Sequence, residues 1–99
     1  MVEMVDGLRV VDNPEASRYE LWNGERLLGF AEYRTRPDRV LFPYVEIDEM
    51  MQGRGFGSIL TAAALDDCRA RGLRVEATCP FVVDFLRQHP EYDDIRAGA

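Results

Sequence analysis

Lysine is absent from the 99 residues, and histidine occurs only once. Without lysine there is no Gly-Lys-Ser/Thr phosphate loop and no side-chain amine for Schiff-base chemistry. Two cysteines, Cys68 and Cys79, are too few for a disulfide framework, and one histidine cannot complete a Cys/His zinc site with them. No metal is expected. No apolar run approaches the roughly 20 residues of a membrane span, and the acidic start Met1-Val2-Glu3-Met4-Val5-Asp6 is unlike a signal peptide. The chain is therefore expected to be cytoplasmic, with no membrane partner. Positive charge is also in deficit: twelve arginines face eighteen Asp and Glu, a net charge of −6. Nucleic-acid binders carry a basic face, so no nucleic-acid partner is expected.

What remains is ordinary globular material, 46% hydrophobic and 30% charged, long enough for one core and too short for two. A single domain over residues 1–99 is expected, with no repeat and no linker. Leu8-Arg9-Val10-Val11 reads as a short strand closed by Asp12-Asn13-Pro14. Ser17 to Trp22 alternates, and Glu25 to Tyr33 resumes with Leu27, Gly29 and Ala31 on one side. Asn23-Gly24 between them predicts a type I′ hairpin turn, with positive φ at both central residues. Arg36-Pro37-Asp38-Arg39 makes the next turn, and Val40 to Ile47 is a further strand.

The period then changes. From Gly55 onward, Leu60, Thr61, Ala64, Leu65 and Cys68 recur on one helical face, with Asp66 and Arg69 pointing away. Asp67 and Arg71 can pair across one turn, and Gly72 supplies the left-handed stop. Leu73 to Thr78 alternates as a strand that, following a helix, is expected parallel to Val40–Ile47. Pro80 opens a short helix to about Gln88 with Phe81, Phe85 and Leu86 inward, and His89-Pro90 ends it. The order β-β-β-β-α-β-α is an α+β fold: a mixed sheet in which an antiparallel meander is followed by one βαβ unit and a C-terminal helix.

Between strand and helix stands Gln52-Gly53-Arg54-Gly55-Phe56-Gly57, with Ser58 next. Free N–H groups at a helix start, with the positive end of the dipole behind them, suit a pyrophosphate, and Arg54 can add a charge-assisted contact. The spacing is not the Gly-x-Gly-x-x-Gly of a dinucleotide fold, and the chain has room for only one βα unit.

Gln52-x-x-Gly55-x-Gly57 resembles the Gln/Arg-x-x-Gly-x-Gly/Ala signature of the GNAT N-acetyltransferase superfamily. The chain is more specifically similar to a minimal GNAT-like subfamily of about 95 residues. The resemblance runs through Val45-Glu46-Ile47, the helix from Gly57 to Gly72, Thr78-Cys79-Pro80-Phe81-Val82 and His89-Pro90-Glu91-Tyr92. It implies an acetyl-CoA-dependent N-acetyltransferase with an unidentified amine acceptor. Val45, Ile47 and the segment Gln52, Gly53, Arg54, Gly55, Phe56, Gly57 and Ser58 would hold the acetyl-CoA, its pyrophosphate on the loop and its pantetheine along the strand edge. In that superfamily the two parallel strands splay apart where the thioester sits, which brings Cys79 close to the acetyl group. Its thiol can accept acetyl or protonate the departing thiolate, or can be a buried packing group. Relatives often carry histidine where this chain has Tyr44. A phenol, with an ordinary pKa near 10, serves better as an acid or a wall, which leaves Glu46, through a water, as the candidate base. Cys68 reads as core, His89 as a helix-end residue and Tyr92 as structural; a Cys79–His89 dyad lacks a third orienting group. The alternative activity is a non-catalytic acetyl-CoA- or CoA-binding module. The protein is expected as a monomer or weak homodimer.

Overall fold

Gly24 illustrates how local chemistry sets the frame. Asn23 pairs with Arg26, so the two-residue loop is Gly24-Glu25, and only Gly24 has a positive φ (59°). That is the pattern of a type II′ turn, which needs glycine at its first central position only, and it replaces the expected type I′ turn centred on Asn23-Gly24. The computed structural model describes residues 3–5 and 7–98.

Six strands lie in one sheet in chain order: β1 (Glu3–Val5), β2 (Leu8–Asn13), β3 (Arg18–Asn23), β4 (Arg26–Thr35), β5 (Val40–Ile47) and β6 (Val75–Ala77). Every neighbouring pair is antiparallel except β5 and β6, which are parallel. Helix α1 (Phe56–Ala70) makes the crossover between those two, and α2 (Pro80–Gln88) follows β6. The mixed α+β sheet is as expected, with one strand more: β1 precedes the expected first strand and makes the outer edge of the meander. Beyond α2, the 3₁₀ segment Pro90–Ile95 leads into a backbone bridge from Arg96 to Val75, which covers the free side of β6.

α1 lies across the sheet with Leu60, Thr61, Ala63, Ala64, Leu65 and Cys68 buried. Opposite them, Val10, Leu21, Leu28, Ala31 and Phe42 fill the inner sheet face. The helix stops where its chemistry says it should. Gly72 sits at φ 71°, its N–H bonds Arg69 O at 3.0 Å, and Leu73 N–H reaches back to Cys68 O at 2.8 Å, the paired bonds of a glycine-terminated helix.

Two irregularities break the expected strand alternation. In β4 the register shifts between Leu21 and Trp22, which leaves Leu28 as an extra residue. Leu28 is buried and Leu27 only half so, and the expected Leu27 face is corrected accordingly. In β5, Glu32 opposes Tyr44 and Arg34 opposes Leu41, so Phe42 and Pro43 together face Tyr33. Proline has no N–H for the ladder, and a bulge is where a strand tolerates one. The consequence for the site is large. Val40 and Phe42 point into the core, yet beyond the bulge it is Val45 and Ile47 that pack against it. Tyr44 and Glu46 are thereby turned to the sheet face away from α1.

Candidate functional site

Parallel pairing of β5 with β6 covers only Val40–Phe42 against Val75–Ala77. The last ladder-like contacts are the N–H groups of Thr78 and Cys79, both donating to Phe42 O at 3.2 Å. From there α2 leads the chain away, while β5 runs on to Ile47 with β4 on one side only. The backbone of Val45–Ile47 is thus a free strand edge at the mouth of a wedge between the two strands.

The wedge opens onto a cleft of about 390 Å³ on the helix side of the sheet. Val45 and Ile47 form one wall, the loop and first turn of α1 another, and the Phe81 ring a third. Gly53 and Gly55 hold φ values of 80° and 81°, a left-handed conformation that a side chain would strain. Gly55 caps α1 with no side chain on the helix's first N–H groups. The first helical bond is Ile59 N–H to Gly55 O at 3.1 Å, so the N–H groups of Phe56, Gly57 and Ser58 have no partner within the helix. The approach to this turn is pinned. Asp48 accepts from Met50 N–H at 3.0 Å and from Arg26 at 3.2 Å, and Gln52 Nε2 donates to Ile47 O at 3.3 Å.

Among the residues expected to hold the ligand, Val45, Ile47, Gln52, Gly53, Gly55, Phe56, Gly57 and Ser58 line the cleft. Arg54 is exposed and is not part of its lining. The sequence reading missed Met51 and Phe81, which supply apolar wall. Phe81 was expected inward. It is instead 43% exposed, and Val82, Phe85 and Leu86 make the buried stripe of α2, because helical spacing leaves Phe81 one position off that stripe. The ring lies against Gly57, where a Cβ would come within 2.8 Å of its Cζ.

On the other sheet face, Tyr44 is 43% exposed and donates from its hydroxyl to Glu46 Oε1 at 2.5 Å. Sharing its proton with that carboxylate raises the phenol above its ordinary pKa, and the negative charges of Glu46 and Glu32 push the same way. The Tyr44 ring packs on Phe30, with centroids 6.1 Å apart. Cys79 caps α2 at the inner end of the wedge and is only 6% exposed. Cys68 is fully buried beneath α1; burial pushes its thiol up to about 11, with Asp67 adding to the rise.

His89 does not join Cys79. The two residues sit at opposite ends of α2, about 15 Å apart along the axis at 1.5 Å per residue. The histidine ring stacks on Phe85 with a centroid distance of 4.0 Å, and Nδ1 lies 3.1 Å from Glu91. Tyr92 is buried, donating to Asp66 at 2.8 Å under the Arg69 guanidinium. Among the described residues no cluster of three or more His, Cys, Asp or Glu is arranged to hold a metal ion. Among the described residues no helix is long and apolar enough to cross a membrane.

The cleft combines free helix-start N–H groups and glycines, which suit an anion, with an apolar wall beside a free strand edge. No curated protein sequence matches the chain. A GCN5-like protein from Staphylococcus aureus, solved by NMR, superposes with a TM-score of 0.72 at 20% identity, over 96% of this chain and 93% of its own. Ard1 from Thermoplasma volcanium superposes with a TM-score of 0.60 at 20% identity, over 79% of this chain and 56% of that one. A ribosomal-protein-alanine N-acetyltransferase from Brucella melitensis gives 0.57 at 17% identity, over 83% and 64% respectively. These likenesses establish the shared fold. The family profile of GCN5-related N-acetyltransferases matches residues 18–95, and the chain belongs to that family.

Proposed function

We propose that the protein transfers the acetyl group of acetyl-CoA to an amine acceptor. The observation that carries this reading is the wedge: β5 continues past its last contact with β6, Thr78 and Cys79 N–H to Phe42 O. Its free edge, Val45–Ile47, lies in line with an anion-ready helix start. In this reading the N–H groups of Phe56, Gly57 and Ser58 hold the pyrophosphate, and Val45 and Ile47 pair with the amides of the pantetheine arm. The bound substrate supplies an activated thioester carbonyl. The acceptor nitrogen bonds to that carbon, the carbon–sulfur bond breaks, and the sulfur leaves as thiolate.

The chain's own residues handle two protons. Glu46, on the open sheet face, takes the proton released by the acceptor nitrogen, directly or through a water. The phenol of Tyr44 remains protonated at neutral pH, consistent with its raised pKa, and acts as donor and as the orienting partner of Glu46. Cys79, at the inner end of the wedge, protonates the departing thiolate or takes the acetyl group in passing. A second reading, a CoA-binding module without turnover, is favoured by one contact: the Glu46 carboxylate is already engaged by Tyr44.

Calorimetric titration of acetyl-CoA into wild type and Gly55→Val tests the binding half. Micromolar affinity, about −8 kcal/mol, that is lost in the variant is the expected result; absence of binding in wild type removes both readings. Release of free thiol with a panel of primary amines tests the chemistry. Tight binding with no thiol release above background selects the module.

A further inference from the structure

At the other end of α1 the structure holds a second and larger cleft, of about 540 Å³, between the turns at 36–39 and 71–74. α1 is 15 residues long, so this cleft lies roughly 22 Å from the glycine loop along the helix axis. Four of the twelve arginines meet here: Arg36, Arg39, Arg71 and Arg74.

They divide into two kinds. Arg71 is clamped by Asp12 at 2.9 Å and Asp67 at 3.0 Å. Those carboxylates are themselves held by Tyr33 at 2.7 Å and Tyr19 at 2.6 Å. Arg39 is clamped by Asp38 and Glu76, each at 3.0 Å. Arg36 and Arg74 have no carboxylate in salt-bridge reach among the described residues. Arg74 is steered by donating one N–H to Arg96 O at 2.7 Å, which leaves the rest of its fork free. The four guanidiniums balance the four carboxylates that hold two of them, so this end is locally neutral in a chain of net charge −6. Its positive charge is concentrated on the two unpaired forks. The overall negative field is screened over about 8 Å at physiological salt, so short-range donors decide what binds here.

We infer that this cleft is a binding site for a small phosphate monoester, distinct from the acetyl-CoA cleft. Two open guanidiniums match one dianion better than one carboxylate, since each fork can place two parallel N–H bonds on phosphate oxygens. The clamped Arg39 and Arg71 sit on the two turns that carry the open pair; the Arg36 N–H donates to Arg39 O at 2.8 Å, and Arg74 is steered by Arg96 O. The cleft also exceeds a bare phosphate, and Pro14, Pro37 and Leu73 give it apolar surface for an organic body.

The test is a two-dimensional NMR titration of isotopically labelled protein with phenyl phosphate, inorganic phosphate and malonate. Phenyl phosphate is expected to shift amides of residues 33–40 and 71–75 saturably, and to bind more tightly than either other probe. Arg36→Gln and Arg74→Gln should each weaken it roughly tenfold, the effect of losing one charge-assisted contact. Arg87→Gln, an exposed charge on α2, should leave it unchanged. Shifts confined to residues 52–58, an equal loss in Arg87→Gln, malonate or inorganic phosphate binding as tightly as the ester, or no saturable shift would each overturn the assignment.

Discussion

The Phe81 ring rests directly on Gly57: a Cβ at that glycine would come within 2.8 Å of Cζ and 3.3 Å of both ring Cε atoms. The contact joins the two helices at the point where the cleft begins, since Gly57 lies in the first turn of α1 and Phe81 in the first turn of α2. Gly57→Ala forces the ring to move. Phe81 is half out of the core, so it can swing toward solvent without unpacking Val82 or Phe85. The added Cβ also favours the helix by up to about 1 kcal/mol. Stability is therefore expected to stay within about 1 kcal/mol of wild type by urea denaturation. Acetyl-CoA affinity is expected to fall roughly tenfold by calorimetry. Equal losses in stability and affinity would show the contact to be packing alone.

Gly29 presents the opposite case. A Cβ there meets Glu46 O at 2.5 Å and Ile47 Cα at 3.1 Å, both backbone atoms of the neighbouring strand. Backbone in a paired strand cannot swing aside, so Gly29→Ala must push β5 away from β4. A loss of about 2–3 kcal/mol is expected, the range of overpacked interiors. Amide shifts should spread through residues 44–48, where the free edge and Glu46 lie. Wild-type stability in that variant would mean that the strands part more easily than their register implies.

What could be read from the residues alone divides along the same line between local and tertiary causes. The α1 face, the Gly72 stop and the parallel return to β6 follow from spacing and from single residues whose backbone preferences are decisive. The glycine loop was legible for the same reason. The Leu28 and Phe42-Pro43 bulges were not, because an extra residue in a strand is defined only against its partner strand. Strict alternation from Phe42 would have placed Tyr44 and Glu46 inward. Their position opposite Phe30 and Glu32 exists only once β4 fixes the bulge. Phe81 failed for a related reason: an aromatic in a short helix reads as core until α1 is there to show which stripe is covered.

Glu20 on β3 makes the fold sensitive to acid. It is 6% exposed on the face that no helix covers. Arg18 donates to it at 2.7 Å, Asn13 at 3.1 Å and Trp22 Nε1 at 3.2 Å. Burial works to raise its pKa, and those three donors outweigh burial and hold it below the ordinary 4.5. A depressed carboxyl binds its proton more readily in the unfolded chain, so its contribution is present above pH 4.5 and is lost as pH falls through the folded value. The wild-type melting temperature is expected to fall on acidification below about pH 4.5. Glu20→Gln should melt lower at pH 7 and lose less on acidification. Parallel curves for the two proteins would assign the acid sensitivity to other carboxylates.

Tyr44 and Glu46 give the most informative pair of variants for the proposed chemistry. Both are exposed side chains on a strand whose packing face is Val45 and Ile47, so neither substitution removes core. Glu46→Gln keeps the shape and an acceptor for the Tyr44 hydroxyl but cannot take a proton. It is expected to lower kcat by about a hundredfold or more, the usual contribution of a positioned base, with acetyl-CoA affinity unchanged. Tyr44→Phe keeps the ring against Phe30 and frees the carboxylate. If the phenol orients Glu46 without exchanging its proton, kcat falls severalfold and the pH profile keeps its shape. If the phenol is the acid, the basic limb of that profile disappears with it. A Glu46→Gln protein that turns over at the wild-type rate would remove Glu46 from the chemistry and leave the Tyr44 phenol and the Cys79 thiol as the groups to test at the wedge.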